Sequence, residues 1–413
     1  MSGQHQAAGD SVMPTETGTP LTGQVVALLA ALSAISILST NIILPAFPDI
    51  GRQLGVSSRE LGLTLSSFFI TFALAQLVVG PLADHFGRMR LVLGGLWLFV
   101  AGTLVAGFAG SLDMLITGRV IQALGACAAA VLARAIARDL FEGQALARAL
   151  SLTMIATATA PGFSPLLGSL LTTTLGWRAI FVMVGVAAVV IAFFYARGLG
   201  ETLPPERRTT RSVPQVVGAY WRLIADERFI FPGTAVSLLM SGLFASFAAA
   251  PAILMSGMGL SSLQAGLYFA VTVFVVFAAG MAAPRLARRF GSRTVATLGL
   301  TTAMLAGCLL LVGPSDPGLG WYSLSMASFL WGMGLANPLG TAITMEPFGK
   351  QAGLASALFG FMTMGAAAIT TWLVSILEYP PVSSLGVIQT SVCFVALTLF
   401  VASNQIESRT ARS

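Results

Sequence analysis

The chain has 413 residues, of which 56% are hydrophobic and 9% charged, with a mean hydropathy of +0.85. Soluble domains carry about 25% charged residues, so a water-soluble enzyme or binding domain of this length is excluded. The net charge of +6 comes from basic residues scattered over separate loops, which excludes a nucleic-acid-binding patch, and two histidines leave almost no material for a His-based metal site.

Residues 1–23 are polar and rich in small side chains, which predicts a disordered cytoplasmic tail. They hold no basic n-region, so the first apolar run reads as an uncleaved anchor. Twelve apolar runs follow, each long enough for a bilayer, which about 20 residues cross. The fold class is all-α and polytopic. Spans 24–48, 61–83, 91–110, 113–136, 147–173 and 178–198 form a first half. Spans 229–254, 262–283, 294–313, 321–344, 352–376 and 384–403 form a second, with a mixed-charge, proline-bearing linker at 199–228 between them and a short cytoplasmic tail at 404–413.

The first run ends with Pro45 and Pro48, which interrupt a helix and free carbonyls that only protein or a water-filled cavity can satisfy. Asn41 just before them places an amide at a cavity-facing depth, and Asp49 reads as an interfacial carboxylate. Between the second and third runs lies Gly80-Pro81-Leu82-Ala83-Asp84-His85-Phe86-Gly87-Arg88-Met89-Arg90, a tight polar turn. In the fourth run Arg119 is a cation about six residues deep, with Gln122 one turn away on the same face. Charge at that depth is costly and marks a functional candidate, whereas Arg134 and Arg138 near the other end read as snorkelling residues. The fifth run carries Pro161, Gly162, Pro165 and Gly168, which suit either a hinge or close helix packing. Cys127, Cys308 and Cys393 fall singly in apolar runs and read as small buried hydrophobes. Met240, Phe244 and Phe247 on the seventh run are either cavity wall or helix packing.

The turn at 80–90 returns 204 residues later, where Leu286-Ala287 and Phe290-Gly291 repeat Leu82-Ala83 and Phe86-Gly87. A duplicated half with the same short turn is a common transporter design. With the N-terminus inside, 18 of the 22 basic residues fall on the inner side, as the positive-inside rule expects.

These motifs resemble a known family. Gly80 to Arg90 is similar to the inner-turn motif of the major facilitator superfamily, and Arg119, Gln122 and Gly125 resemble its fourth-helix motif. Pro161 to Gly168 is similar to the fifth-helix motif of its twelve-span drug exporters, with Ser164-Pro165 where Gly-Pro is usual and Ser169 for the last glycine. Leu44-Pro45-Ala46-Phe47-Pro48, Gly176-Trp177-Arg178-Ala179-Ile180-Phe181 and Glu201-Thr202-Leu203 resemble the bicyclomycin/chloramphenicol-resistance (Bcr/CflA) branch of drug:proton antiporters. The resemblance implies that Asp84 and Arg88, set by Gly80 and Gly87, gate the inner face, and that Arg119 supports proton coupling. It also marks a departure. The branch has an acid where this chain has Asn41, so coupling must use another carboxylate, such as Asp49 or Asp113, or be altered.

The expected function is secondary active export of small, largely hydrophobic drugs across a bacterial inner membrane in exchange for protons, by alternating access. Export of an endogenous metabolite, or a non-transporting sensor or scaffold, are the alternatives. No catalytic constellation stands in the sequence, so no enzyme is expected, and no cofactor. The partners are a small-molecule substrate, protons and the bilayer, with no nucleic acid. The chain is expected to be a monomer with both termini cytoplasmic.

Overall fold

The computed structural model describes residues 23–208, 213–314 and 317–410. The expected tail as far as residue 22, and residues 411–413, lie outside that set. In the first half the long helices are α1 (Gly23–Asn41), α2 (Leu63–Phe86), α3 (Arg88–Gly107), α4 (Leu112–Leu140), α5 (Gly143–Leu175) and α6 (Arg178–Gly198). In the second they are α7 (Glu227–Ala250), α8 (Ser262–Phe290), α9 (Ser292–Val312), α10 (Leu319–Met345), α11 (Ala352–Ile376) and α12 (Pro381–Thr410). Helix is the form these runs take because hydrocarbon offers no partner for a backbone N–H or C=O, and a helix pairs both internally.

Eleven of these segments have the length and hydropathy of a membrane span among the described residues. The twelfth, α10, is long enough at 27 residues and holds no Asp, Glu, Lys or Arg, but Ser, Gly, Trp and Asn dilute its apolar side chains. It is packed among α7, α8 and α9. Three expected spans differ in outline, one of them α8, which runs to Phe290 instead of ending at 283. The first is broken after Asn41, where Pro45 and Pro48 turn the chain through Leu44–Ala46 into a separate short helix, Phe47–Leu54. The last, α12, continues to Thr410 instead of ending at 403. The linker contains a helix of its own, Val213–Ile224, resting on α7 and α11.

The two halves repeat one packing scheme. In the first, α3 lies on α4 and α6, α4 on α2, and α1 on α5; in the second, α9 lies on α10 and α12, α10 on α8, and α7 on α11. The repeated turns have matching backbones. Gly87 (φ 94) and Gly291 (φ 87) sit in the left-handed region that favours glycine, and their N–H groups bond Ala83 O and Ala287 O at 3.1 and 2.9 Å. Small residues set the closest contacts, since helices in lipid associate largely through van der Waals fit. A Cβ on Gly125 of α4 would stand 2.3 Å from Gly95 O of α3, and the equivalent helices meet at Gly299 and Gly332 with the same closeness.

Two seams join the halves, α2 against α11 and α5 against α8. At the end away from the repeated turns the halves also touch through Ser262 Oγ donating to Pro45 O (3.1 Å) and Arg59 Nη2 donating to Tyr379 O (3.0 Å). That end is therefore closed.

Gly125→Leu forces a side chain into backbone and is expected to cost about 1–3 kcal/mol. Gly94 on the same helix pair has open space at its Cβ, so Gly94→Leu is expected to leave stability unchanged. Thermal melting of the purified protein in detergent checks the contrast, with a lower Tm for the first variant alone.

Candidate functional site

A cavity of about 390 Å³ lies between the halves, within the range of small-molecule sites. Met240, Phe244 and Phe247 recur at i, i+4 and i+7 on α7, and all three face it. The ring of Phe69 on α2 lies 4.7 Å from Phe244, and Phe247 lies 5.6 Å from Phe269 on α8, so an aromatic wall links the halves. Tyr268, Tyr322, Met326 and Met333 extend that wall, and Asn337 adds an amide. The sequence reading missed these five. Polar-tipped tyrosines inside apolar runs were the available signal.

Pro161 and Gly162 of α5 also line the cavity, while Pro165 and Gly168 lie a turn or more beyond it. The helix runs through both prolines without interruption. A Cβ on Gly162 would meet Val273 of α8 at 2.5 Å, and one on Gly168 would meet Ile42 O at 1.9 Å. These residues permit close approach on two sides at once.

Arg134 is where the structure corrects the sequence reading. It lines the central cavity and also a second one, of about 300 Å³, at the end that carries the repeated turns. Snorkelling requires an arginine that faces lipid near headgroups. Here α4 packs against α1, α2 and α3, and its last third is turned to the molecule's midline.

Arg119 is fully buried inside the first half, and neither it, Gln122 nor Asn41 lines either cavity. Its Nη1 donates to Ser39 O at 3.0 Å and to Gln122 Oε1, and the guanidinium stacks 4.4 Å above the Phe68 ring. Gln122 Nε2 passes the chain to Thr103 Oγ1 (2.8 Å), which donates to Phe99 O (2.7 Å). Arg119 has no carboxylate partner among the described residues, and its Nε and Nη2 have no acceptor. Asn41 is buried beyond the cavity-facing depth expected of it, because the chain folds over the end of α1, and its Nδ2 is also unpartnered. Asp49 is paired with Arg52, and Asp113 is exposed in the first turn of α4.

The turn at 80–90 forms an ionic node. Arg88 is nearly buried and bridges Asp84 Oδ1 (2.6 Å) and Asp139 Oδ2 (2.9 Å), joining α2, α3 and α4. Glu201 caps α3: its Oε1 accepts from the Arg88 N–H (2.8 Å) and the Leu203 N–H (3.0 Å). Asp139 and Glu201 were not foreseen as partners, because only tertiary packing brings them to the turn. Gly80, Asp84 and Arg88 line the second cavity opposite Ala352 and Gly353, the first residues of α11. The repeated turn keeps the backbone but not the charges, since Arg288 and Ser292 stand where Asp84 and Arg88 do. Across the same cavity Tyr220 Oη donates to Leu77 O at 3.1 Å. Burial, and then the Asp84 charge, pushes that hydroxyl up to about 12, so it stays protonated at neutral pH.

Residues 29–371 match the family described as Major Facilitator Superfamily. Multidrug resistance protein D of Escherichia coli (strain K12) is 30% identical over 88% of this chain and 91% of its own length. A chloramphenicol resistance protein of Pseudomonas aeruginosa is 29% identical over 79% and 76%, and a bicyclomycin resistance protein homolog of Haemophilus influenzae 26% over 92% and 96%. Among solved structures, a peptide transporter, POT, superposes with a TM-score of 0.73 at 16% identity over 94% of both chains. A nucleoside transporter, NupG, gives 0.70 at 14% over 92% and 99%. At such identities the likeness is one of fold.

Arg88 and Arg119 are expected to respond oppositely to the same substitution. Arg88→Met strands Asp139 and costs up to about 3–5 kcal/mol, whereas Arg119→Met replaces an incompletely satisfied cation and is neutral or stabilising by about 1–4 kcal/mol. Paired melting curves at one pH read the difference as a fall in Tm for the first and none for the second.

Proposed function

The chain belongs to the Major Facilitator Superfamily, and from that premise we propose that it exports small, largely hydrophobic drugs across a bacterial inner membrane in exchange for protons. The chain is a transporter, not an enzyme, by family. The observation that carries the proposed substrate class is the central cavity, walled by Phe244, Phe247, Phe269 and methionines contributed largely by the second half. A sugar-like substrate would call for many more hydrogen-bonding side chains than that wall offers. The names of the resistance-protein relatives point the same way.

Alternating access is supported by the duplicated packing and the two seams. The halves are alike, they meet along α2–α11 and α5–α8, and the cavity sits between them. Closure at the end bearing Pro45 and Ser262, with a second cavity at the end bearing the turns, corresponds to an inward-facing state if the basic end is cytoplasmic. That orientation places both termini inside. The chain works as a monomer, since one copy contains the whole cavity.

Proton coupling turns on Arg119 and Asn41. A buried guanidinium with two unpartnered nitrogens, Nε and Nη2, favours a nearby anion, and an amide at position 41 cannot provide one at any working pH. Energised inside-out vesicles are expected to accumulate a hydrophobic dye or chloramphenicol, and a protonophore to abolish the uptake. Uptake that survives the protonophore contradicts proton exchange; absence of uptake with every compound of a resistance panel contradicts export. Asn41→Asp is expected to steepen the dependence of rate on pH between about 5 and 8, where a partly desolvated carboxylate titrates. Superimposable pH profiles for the two proteins would show that coupling resides elsewhere.

A further inference from the structure

Among the described residues Arg134 is the only charged side chain that lines the central cavity, and no Asp or Glu lines it. Among the described residues it makes no ion pair, and no hydrogen bond occupies its guanidinium. The neighbouring hydroxyls of Thr153, Thr157 and Thr272 donate to carbonyls of their own helices, at 2.8, 2.7 and 2.8 Å, and carry no formal charge to neutralise it. The cavity therefore presents one cation beside an aromatic and thioether wall.

The approach from the basic end has the same sign. The second cavity is lined by Arg88, Arg134 and Arg138 against Asp84 and Asp139, and both carboxylates are held by Arg88. Three guanidiniums against two carboxylates leave that route with one net positive charge. Low-dielectric walls concentrate such a field, which attracts anions and repels cations.

We propose that Arg134 makes this cavity selective for compact aromatic monoanions, with the ring against Phe244, Phe247 and Phe269 and the anionic group on the Arg134 guanidinium. This refinement rests on the export reading above and narrows its substrate class. The planar fork of arginine matches a carboxylate or sulfonate, and the anion's own charge relieves a cation that no protein group neutralises. A quaternary ammonium compound of the same size meets only repulsion there.

The probes are a naphthalenesulfonate, the matched neutral naphthalenesulfonamide and a naphthyl trimethylammonium cation, tested for binding to the purified full chain and for transport in proteoliposomes. The wild-type protein is expected to bind the sulfonate at least about ten-fold more tightly than the cation. Arg134→Gln is expected to weaken the sulfonate by about ten-fold or more while shifting the sulfonamide by less than about three-fold, and Arg134→Lys to keep part of the preference. Equal loss of sulfonate and sulfonamide in Arg134→Gln, or a wild-type preference for the cation, overturns the proposal. The wild-type comparison decides it even if no Arg134 variant folds. Sulfonate binding without transport would sink the export reading and leave the site standing. Transport of neutral drugs with no sulfonate preference would do the reverse.

Discussion

Hydrocarbon supplies no partner to a buried charge, so each charged group inside this protein must be met by the protein itself or by what enters it. Three arginines meet that constraint in three ways. Arg88 binds two carboxylates and, with Glu201 capping α3, ties the ends of α2, α3 and α4 together. Arg119 is met by a carbonyl, an amide and the face of Phe68, and still keeps two donors unused. Arg134 has no hydrogen-bond or ion-pair partner among the described residues and faces the space between the halves. The series runs from structural lock, through an incompletely satisfied centre, to a group open to solvent or ligand.

The same constraint shapes the contacts within and between the halves. Within each half, helices approach to backbone contact through residues such as Gly125 and Gly299, which leaves little freedom. Between halves, only α2–α11 and α5–α8 run alongside each other. The proposed alternating access would rock these bodies along the two symmetry-related seams, about the cavity between them. The ionic node breaks the symmetry. It exists at the Gly80–Arg90 turn and not at its repeat, where Arg288 and Ser292 replace the acid and its partner.

Much of this is written locally in the chain. Apolar runs give most of the spans to within a few residues, and Gly87 and Gly291 announce the repeated turn because a left-handed backbone has few other occupants. Arg119 is legible as a candidate too, because it is a charge about six residues into an apolar run with Gln122 one turn away. What is not legible depends on which way a helix faces. Arg134 lies near a helix end, and sequence cannot tell a face turned to headgroups from one turned to a cavity. Asp139 and Glu201 lie far from Arg88 in the chain and meet it only through tertiary packing. Position 41 illustrates a subtler failure: its depth was legible, but the fold of Leu44–Leu54 over the end of α1 buries it away from the cavity. The helix Val213–Ile224 lies in a linker whose prolines and charges masked its amphipathic run.

Rocking of the two halves makes opposite demands on the two ends of the molecule, and distances between spin labels read both. One pair, Gln144→Cys with Ser292→Cys, spans the halves at the basic end; the other, Gly110→Cys with Gly318→Cys, spans them at the opposite end, with Cys127, Cys308 and Cys393 replaced by alanine. Alternating access predicts that a transported drug or a change in pH shortens the first distance in part of the population and lengthens the second in the same fraction. Both distances unchanged under every condition that supports transport, or both changing in the same direction, would contradict it.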